Sequence, residues 1–184
     1  LLQAKGSSDQ LRVWVMGCAT GEEAYTVAIL LLEQMEQMAN PPELRIFATD
    51  LNPDALRQAR EGTYLETIAA EVSAERLQRY FVRDGHWYRV SQAVRQRMVF
   101  AQHSLLRDPP FSKLDLIVCR DVLCDLRPEA QAQVAGVLHM SLQLGGNVCV
   151  GTTETLDSAY FRPLTPGLPL YHRLPVNSPA WRVP

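Results

Sequence analysis

The sequence feature that most constrains the fold is an apolar segment joined to an amphipathic helix by a glycine turn. Residues 11–16 are largely apolar and include β-branched and aromatic side chains, a composition typical of a strand buried on both faces. Small residues follow at 17–21, and residues 22–38 carry apolar side chains at helical spacing. The order strand, glycine turn, helix predicts the first half of a βαβ unit.

A second strand and helix complete this unit. Residues 44–50 form another apolar run, Asn52 and Pro53 are suited to open a helix, and Gly62 is suited to end it. Two parallel strands joined by a helix require a right-handed crossover. The sequence therefore predicts an α/β fold of the doubly wound, Rossmann-like type.

The α/β rhythm is interrupted once, over about residues 63–99. Asp84 and Gly85 separate two short alternating segments there, which predicts a tight hairpin in a small antiparallel insertion. We expect residues 1–10 to be a linker or tag, residues 11–173 to be the domain and residues 174–184 to be a tail. The later elements are predicted as strands at 97–103 and 114–120, a helix from Pro128 to about Leu144, a strand after Gly145 and Gly146, and a closing hairpin of 160–162 with 170–173.

Composition excludes several classes of function. The chain has 184 residues and a net charge of -2, with Lys+Arg 18 against Asp+Glu 20, so it lacks the basic excess of a nucleic-acid binder. Its apolar runs fall short of the roughly 20 residues that span a bilayer, which predicts no membrane insertion. No CxxC pair is present, so we expect reduced thiols, a cytoplasmic location and no metal site. The four cysteines are Cys18, Cys119, Cys124 and Cys149.

The first turn and the end of the second strand suggest a nucleoside ligand. The turn at 17–21 lacks the GxGxxG spacing of dinucleotide sites, and by itself it is equally compatible with a tight connection that binds nothing. Asp50 is placed to accept hydrogen bonds from ribose hydroxyls. Its alternative role is a helix N-cap, which Asn52 would fill better. Glu22 and Glu23 would repel a pyrophosphate and favour a cationic ligand, and S-adenosylmethionine is cationic and has no phosphate.

Several segments in order resemble the CheR-type chemotaxis receptor glutamate methyltransferases. The resemblance extends over about residues 11–173, and it is closest to the versions fused into larger sensory proteins. It implies a mostly parallel seven-stranded sheet with a C-terminal antiparallel hairpin and a small inserted antiparallel subdomain. It also implies methyl transfer from S-adenosylmethionine to receptor glutamates. The matching segments are 14–28, 47–64, 77–81, 111–123, 144–155 and 170–173.

The resemblance assigns cofactor contacts residue by residue. Glu23 matches the family's cofactor-binding acid and Asp50 its ribose-binding acid. Ser104 and Leu105 stand where the family usually has Asn-Leu at the adenine pocket, a departure that loses an amide but keeps a hydroxyl. The remaining predicted cofactor contacts are Gly17, Cys18, Ala19, Thr20, Gly21, Asp121 and Val122.

Two substitutions fall at positions that matter for catalysis. Asp121 replaces the family asparagine and could face the cofactor's cations, and Asp125 replaces the active-site tyrosine. An ionised acceptor glutamate needs no base, so catalysis depends on placing its oxygen and holding its charge with donors. Tyrosine donates a hydrogen bond and ionised aspartate does not. The sequence thus leaves three alternatives: a methyltransferase, an impaired regulatory module that binds S-adenosylmethionine or S-adenosylhomocysteine, and a scaffold without ligand.

The predicted partner is a chemoreceptor or other sensory protein with acidic helices. Arg76, Arg79 and Arg83 would form a cationic face for it, although a solvated helix face is the simpler interpretation. His103 would touch the cofactor or acceptor, or be an ordinary strand-end histidine. Relatives have a helical domain ahead of this fold that supplies a cofactor-contacting arginine. Nothing before Leu11 matches it, so we expect it to be an upstream domain of the same protein or to be lost.

Overall fold

The main sheet has seven strands in the order β6-β2-β1-β7-β8-β10-β9. Neighbours from β6 to β8 pair in parallel, whereas β10 pairs antiparallel with both β8 and β9. The structure is a computed structural model that describes residue 2 and residues 5–175. The strands of this sheet are β1 (Gln10–Met16), β2 (Glu43–Asp50), β6 (Met98–Gln102), β7 (Leu114–Cys119), β8 (Leu142–Val150), β9 (Phe161–Pro163) and β10 (Leu170–Arg173).

Alternate residues of β1 supply cores on both faces of the sheet. Val13 and Val15 belong to one apolar cluster, and Trp14 and Met16 to the other, all fully buried. A strand buried on both faces has no polar side, which explains its nearly continuous apolar sequence. None of the helices in the described part of the chain has the length and apolarity needed to cross a bilayer. The helices are α1 (Glu22–Met35), α2 (Pro53–Glu61), α3 (Ala74–Tyr80), α4 (Gln92–Arg95) and α5 (Pro128–Ser141).

The predicted insertion forms a separate antiparallel sheet, here called the inserted sheet, in the order β3-β5-β4. Gly85 adopts a φ of 57° in the turn between β4 and β5, as the Asp-Gly pair predicts. The main sheet resumes with β6 at Met98, so the insertion ends slightly before the expected residue 99. The strands of the inserted sheet are β3 (Thr63–Leu65), β4 (Phe81–Asp84) and β5 (Trp87–Val90).

The prediction of a helix to about Leu144 is wrong. Helix α5 ends at Ser141, and β8 begins at Leu142, ahead of both glycines. Leu142 pairs with Leu114 of β7, and the register then shifts before the next pair. Gly145 has a φ of 86° at this irregularity, so the glycines form a bulge within the strand instead of ending the helix.

Both ends of the domain make contacts with the main sheet. Strand β1 begins at Gln10, one residue before the expected boundary, and Lys5 pairs with the buried Asp115 at 2.9 Å. At the other end, the Leu174 amide donates to the Tyr160 carbonyl. Apart from Leu174 and residue 175, the predicted tail lies outside the described residues.

Candidate functional site

The first turn, residues 17–21, presents its backbone at the carboxyl end of β1. Three of its residues have positive φ: Gly17 at 63°, Ala19 at 44° and Gly21 at 98°. Cys18 points away from solvent, with 2% of its surface exposed, and burial followed by the charge of Asp50 raises the pKa of its thiol to about 12. The turn therefore offers peptide groups to a ligand, and Cys18 contributes an inert side chain to the core.

Asp50 is tied to this turn by its carboxylate. Its Oδ2 accepts from the Ala19 amide at 2.8 Å, and its Oδ1 accepts from the Asn52 amide at 2.9 Å. Asn52 caps helix α2, accepting from the Asp54 amide, so Asp50 is not the cap. Each oxygen of a carboxylate has two lone pairs. Both oxygens of Asp50 therefore retain capacity to accept a bond from a ligand hydroxyl.

A cavity of about 200 Å³ lies beside Asp50 at the same end of the sheet. Of the predicted cofactor contacts, Cys18, Ala19, Thr20, Gly21, Glu23 and Asp121 do not line it. The walls combine the Asp50 carboxylate with leucine and valine side chains, a combination that suits a ribose joined to an apolar ring. The lining residues are Gly17, Thr49, Asp50, Leu51, His103, Ser104, Leu105, Leu106, Val122 and Leu126.

His103 is held in the cavity wall by packing. Its ring stacks on Phe111 and lies edge-on to Trp14, with centroid distances of 5.4 and 5.2 Å. Its Nε2 lies 3.0 Å from the Pro109 carbonyl oxygen. These contacts place the ring at the end of β6 as part of the cavity wall, where it would also border a bound cofactor.

An arginine that the sequence analysis did not single out lies at the start of helix α1. Arg120 follows β7, and its Nη1 lies 2.8 Å from Oε1 of Glu23. This hydrogen bond raises the pKa of Arg120 above its already high value. Glu22, the residue before Glu23, instead accepts a hydrogen bond from the Thr20 hydroxyl. The available signal for Arg120 was its place at the carboxyl end of a buried strand, where ligands bind in α/β sheets.

The loop after β7 is organised by Glu154, which the sequence analysis also missed. Its buried carboxylate accepts four backbone N–H bonds of 2.7 to 3.1 Å. Gly151 lies close to this carboxylate, because an added Cβ would lie 2.8 Å from Oε2 of Glu154 and 2.6 Å from Oδ1 of Asp121, and one or both side chains would have to move. The four donors are the amides of Asp121, Leu123, Cys124 and Gly151.

The two substituted aspartates are both exposed in this loop. Asp121 has a φ of 56°, an uncommon conformation for a residue with a side chain. Asp125 ends a short 3₁₀ turn and does not line the cavity, although the next residue, Leu126, does. The Cys124 thiol approaches Oδ1 of Asp125 at 4.0 Å. Neither carboxylate is buried against the cavity.

The proposed cationic face is matched by acids within the chain. Each of its three arginines forms an ion pair, one with a residue of helix α1, one with the residue directly after that helix and one with a residue of the insertion. Surface pairs of this kind belong to a solvated helix face, the simpler of the two interpretations. The pairs are Arg76 with Glu33, Arg79 with Glu36 and Arg83 with Glu66.

The chain matches the family described as CheR methyltransferase, SAM binding domain, over residues 1–164. It belongs to this family. S-adenosylmethionine is therefore its cofactor, and the pocket beside Asp50 has a lining that suits the adenosyl part, a carboxylate together with leucine and valine side chains. The seven-stranded sheet of this CheR domain, with its closing hairpin and insertion, is the Rossmann-like methyltransferase fold implied by the resemblance.

Named relatives are longer than this CheR domain. It is 44% identical to an uncharacterized 104.1 kDa protein of Rhodobacter capsulatus over 79% of this chain and 15% of that protein. It is 34% identical to the putative methyltransferase Cher3 of Pseudomonas putida, over 84% of this chain and 59% of that protein. A chemotaxis protein methyltransferase of Listeria monocytogenes is also 34% identical, over 82% and 56%. The chain thus spans less than two thirds of these relatives.

Proposed function

We propose that this CheR domain transfers a methyl group from S-adenosylmethionine to glutamate side chains of a chemoreceptor. The observation that carries the proposal is the position of Arg120, which pairs with Glu23 at the sheet end that also holds the Asp50 cavity. A nucleoside pocket beside a cation that recognises carboxylates is the arrangement such a reaction needs. Relatives named chemotaxis protein methyltransferases support the choice of acceptor.

The chain's own residues would hold the cofactor at three places. Bound S-adenosylmethionine supplies a methyl group on a positively charged sulfur. Asp50 would accept from the ribose, Leu105 and Val122 would enclose the adenine, and Glu23 would attract the ammonium group. Thr20 and Glu22 keep the start of helix α1 in place through their hydrogen bond. Negative charge at this helix end favours a cationic ligand over a phosphate.

Arg120 is the donor that we assign to the acceptor glutamate. Its guanidinium has five N–H donors and one hydrogen bond to Glu23, so several donors stay available to a carboxylate. An ionised carboxylate is already nucleophilic, and the protein needs only to orient it and hold its charge. Arg120 would supply the donor that Asp125, in place of tyrosine, does not.

The position of Asp125 favours a second candidate function. Its exposed carboxylate stands next to the cavity-lining Leu126, where it would repel an incoming glutamate. In that case the domain binds S-adenosylmethionine or its product and acts as a regulatory module in a larger sensory protein.

A cytoplasmic acceptor fits the state of the thiols. All four cysteines are free, and burial raises the pKa of Cys119 to about 12. We therefore place the reaction in a reducing compartment, at the cytoplasmic part of the receptor.

The test measures binding and transfer separately. Calorimetry with S-adenosylhomocysteine gives affinity, and transfer of radiolabelled methyl groups to receptor membranes, released by base, identifies glutamate esters. We expect Arg120→Gln to lose most ester formation while the Kd stays within about threefold; Arg127→Gln, an exposed arginine before helix α5, is the control. Binding without ester formation in the wild type would support the regulatory module, and absent binding would refute both functions.

A further inference from the structure

A tyrosine of the inserted sheet is bonded to the first turn. Tyr64 lies in the middle of β3, is 8% exposed, and its hydroxyl donates to the Thr20 carbonyl at 2.9 Å. Burial raises the pKa of Tyr64 well above its usual range, so the hydroxyl stays protonated and donates. The bond joins residues 44 positions apart. It connects the insertion to the segment that borders the cofactor pocket.

The first turn needs such a restraint because its backbone is strained. Ala19 has a φ of 44°, a left-handed conformation that costs a residue with a side chain free energy. Asp50 holds the Ala19 amide from the β2 side. Tyr64 holds the Thr20 carbonyl from the side of the insertion. The two bonds restrain two peptide groups of the turn with one peptide group between them.

The Tyr64 hydroxyl also packs closely against Gly21, the last residue of the first turn. A Cβ added at Gly21 would lie 3.1 Å from the Tyr64 hydroxyl oxygen and 3.0 Å from Cβ of Ala59. Gly21 thus allows the tyrosine ring to approach the turn. A displacement of the Tyr64 side chain would change the packing around Gly21, the residue that directly precedes helix α1.

We propose that Tyr64 is a positioning residue for the cofactor, because its hydroxyl fixes the first turn in the conformation that binds S-adenosylmethionine. The inference rests on the proposed cofactor site and assigns it a residue from the insertion. Coupling between two sites is reciprocal. A partner that orders the inserted sheet would therefore strengthen cofactor binding, and bound cofactor would stabilise the inserted sheet.

Tyr25 provides a matched control. It is also a buried tyrosine, and its hydroxyl also donates to a backbone carbonyl, that of Ala59 at 2.7 Å. The two rings are neighbours, with centroids 6.3 Å apart. Tyr64→Phe and Tyr25→Phe each remove one buried hydroxyl and keep the ring, but only Tyr64→Phe releases the first turn.

The experiment compares both variants with the wild type, using the full 184-residue chain. Without ligand, we expect amide hydrogen exchange in residues 17–21 to quicken about tenfold in Tyr64→Phe and less than twofold in Tyr25→Phe, since only one variant loses a bond to the turn. We expect the Kd for S-adenosylhomocysteine to rise about fivefold to tenfold in Tyr64→Phe alone.

The two measurements separate this inference from the proposed function. If the turn exchanges at the wild-type rate in Tyr64→Phe, or equally fast in both variants, Tyr64 has no positioning role. If the wild type fails to bind S-adenosylhomocysteine, the proposed function is wrong, while the exchange rates of the ligand-free proteins still decide the role of Tyr64.

Discussion

The loops that follow β1 and β7 border the same end of the sheet but are held in place differently. The first turn, residues 17–21, is held by Asp50, which accepts from the Ala19 amide, and by Tyr64, which donates to the Thr20 carbonyl. In the loop after β7, the carboxylate of Glu154 accepts from three amides and from Gly151, and the Gln131 side chain donates to the Leu123 and Leu126 carbonyls. The two bonds to the first turn therefore come from two side chains, whereas one carboxylate holds three amides of the loop after β7.

The difference explains where substitutions are tolerated. The first turn keeps every residue type that the family resemblance requires, because its side chains and φ angles are constrained from several sides. The loop after β7 is held through backbone amides, so the side chains of Asp121 and Asp125 are free to point to solvent. A domain can thus keep its cofactor pocket while its acceptor groups change.

Thiol labelling should show the largest contrast between the loops. Cys18 in the first turn is buried with its pKa raised to about 12, whereas Cys124 after β7 is exposed. In the native protein at pH 8, we expect Cys124 to react with a disulfide reagent about a thousandfold faster than Cys18, which reacts only after local opening. Absorbance measures the rates, and Cys124→Ser should remove the fast phase. A second fast thiol assigned to Cys18 would mean that the first turn is open.

The labelling rate of Cys124 should also rise with pH. Desolvation first, and the nearby Asp125 carboxylate second, raise the pKa of Cys124 above its usual value. The thiolate fraction is therefore lower than that of a free cysteine at pH 8, and the rate should keep rising above pH 9. Asp125→Asn should increase the rate at pH 8, since it removes one of the groups that disfavour the thiolate.

Glu154→Gln should destabilise the loop after β7. A glutamine amide places N–H groups against backbone N–H donors, and two lost bonds reduce the free energy of unfolding by about 3 kcal/mol. Urea denaturation measures this loss. Asp157→Asn is the control, because Asp157 is an exposed carboxylate that accepts from the nearby Ala159 amide. If both variants were equally stable, Glu154 would not be the anchor of the loop.

Part of this arrangement was predictable from the sequence. The apolar run of β1, the glycine turn and Asp50 lie close together in the chain, and local patterns identify strand, turn and acid. Glu154 lies 30 to 33 positions from three of the four amides that it binds, and no local pattern marks it. Arg120 meets Glu23 across 97 positions. The sequence predicts a helix to about Leu144 because the two glycines after it suit a break between helix and strand as well as a bulge, and only the pairing with β7 distinguishes the two.

Asp50→Ala tests the cofactor side by itself. The change removes an acceptor for the ribose and the anchor of the Ala19 amide. We expect the Kd for S-adenosylhomocysteine to rise about thirtyfold, equivalent to about 2 kcal/mol. Calorimetry measures it, with Asp54→Ala, an exposed carboxylate in the first turn of α2, as the control. If the Kd were unchanged in Asp50→Ala, the pocket beside Asp50 would not be the cofactor site.

Asp125→Tyr should have the smallest effect and decides between the two proposed functions. It replaces a carboxylate that repels the acceptor with a hydrogen-bond donor, so we expect ester formation on receptor membranes to rise about tenfold at an unchanged Kd for S-adenosylhomocysteine. Asp125→Phe removes the charge without adding a donor and should give a smaller rise. Equal rates in the two variants would attribute the gain to lost repulsion alone. If the wild type forms ester at a measurable rate and Asp125→Tyr is no faster, Arg120 already suffices and Asp125 does not limit catalysis; if neither protein forms ester, the regulatory module is supported.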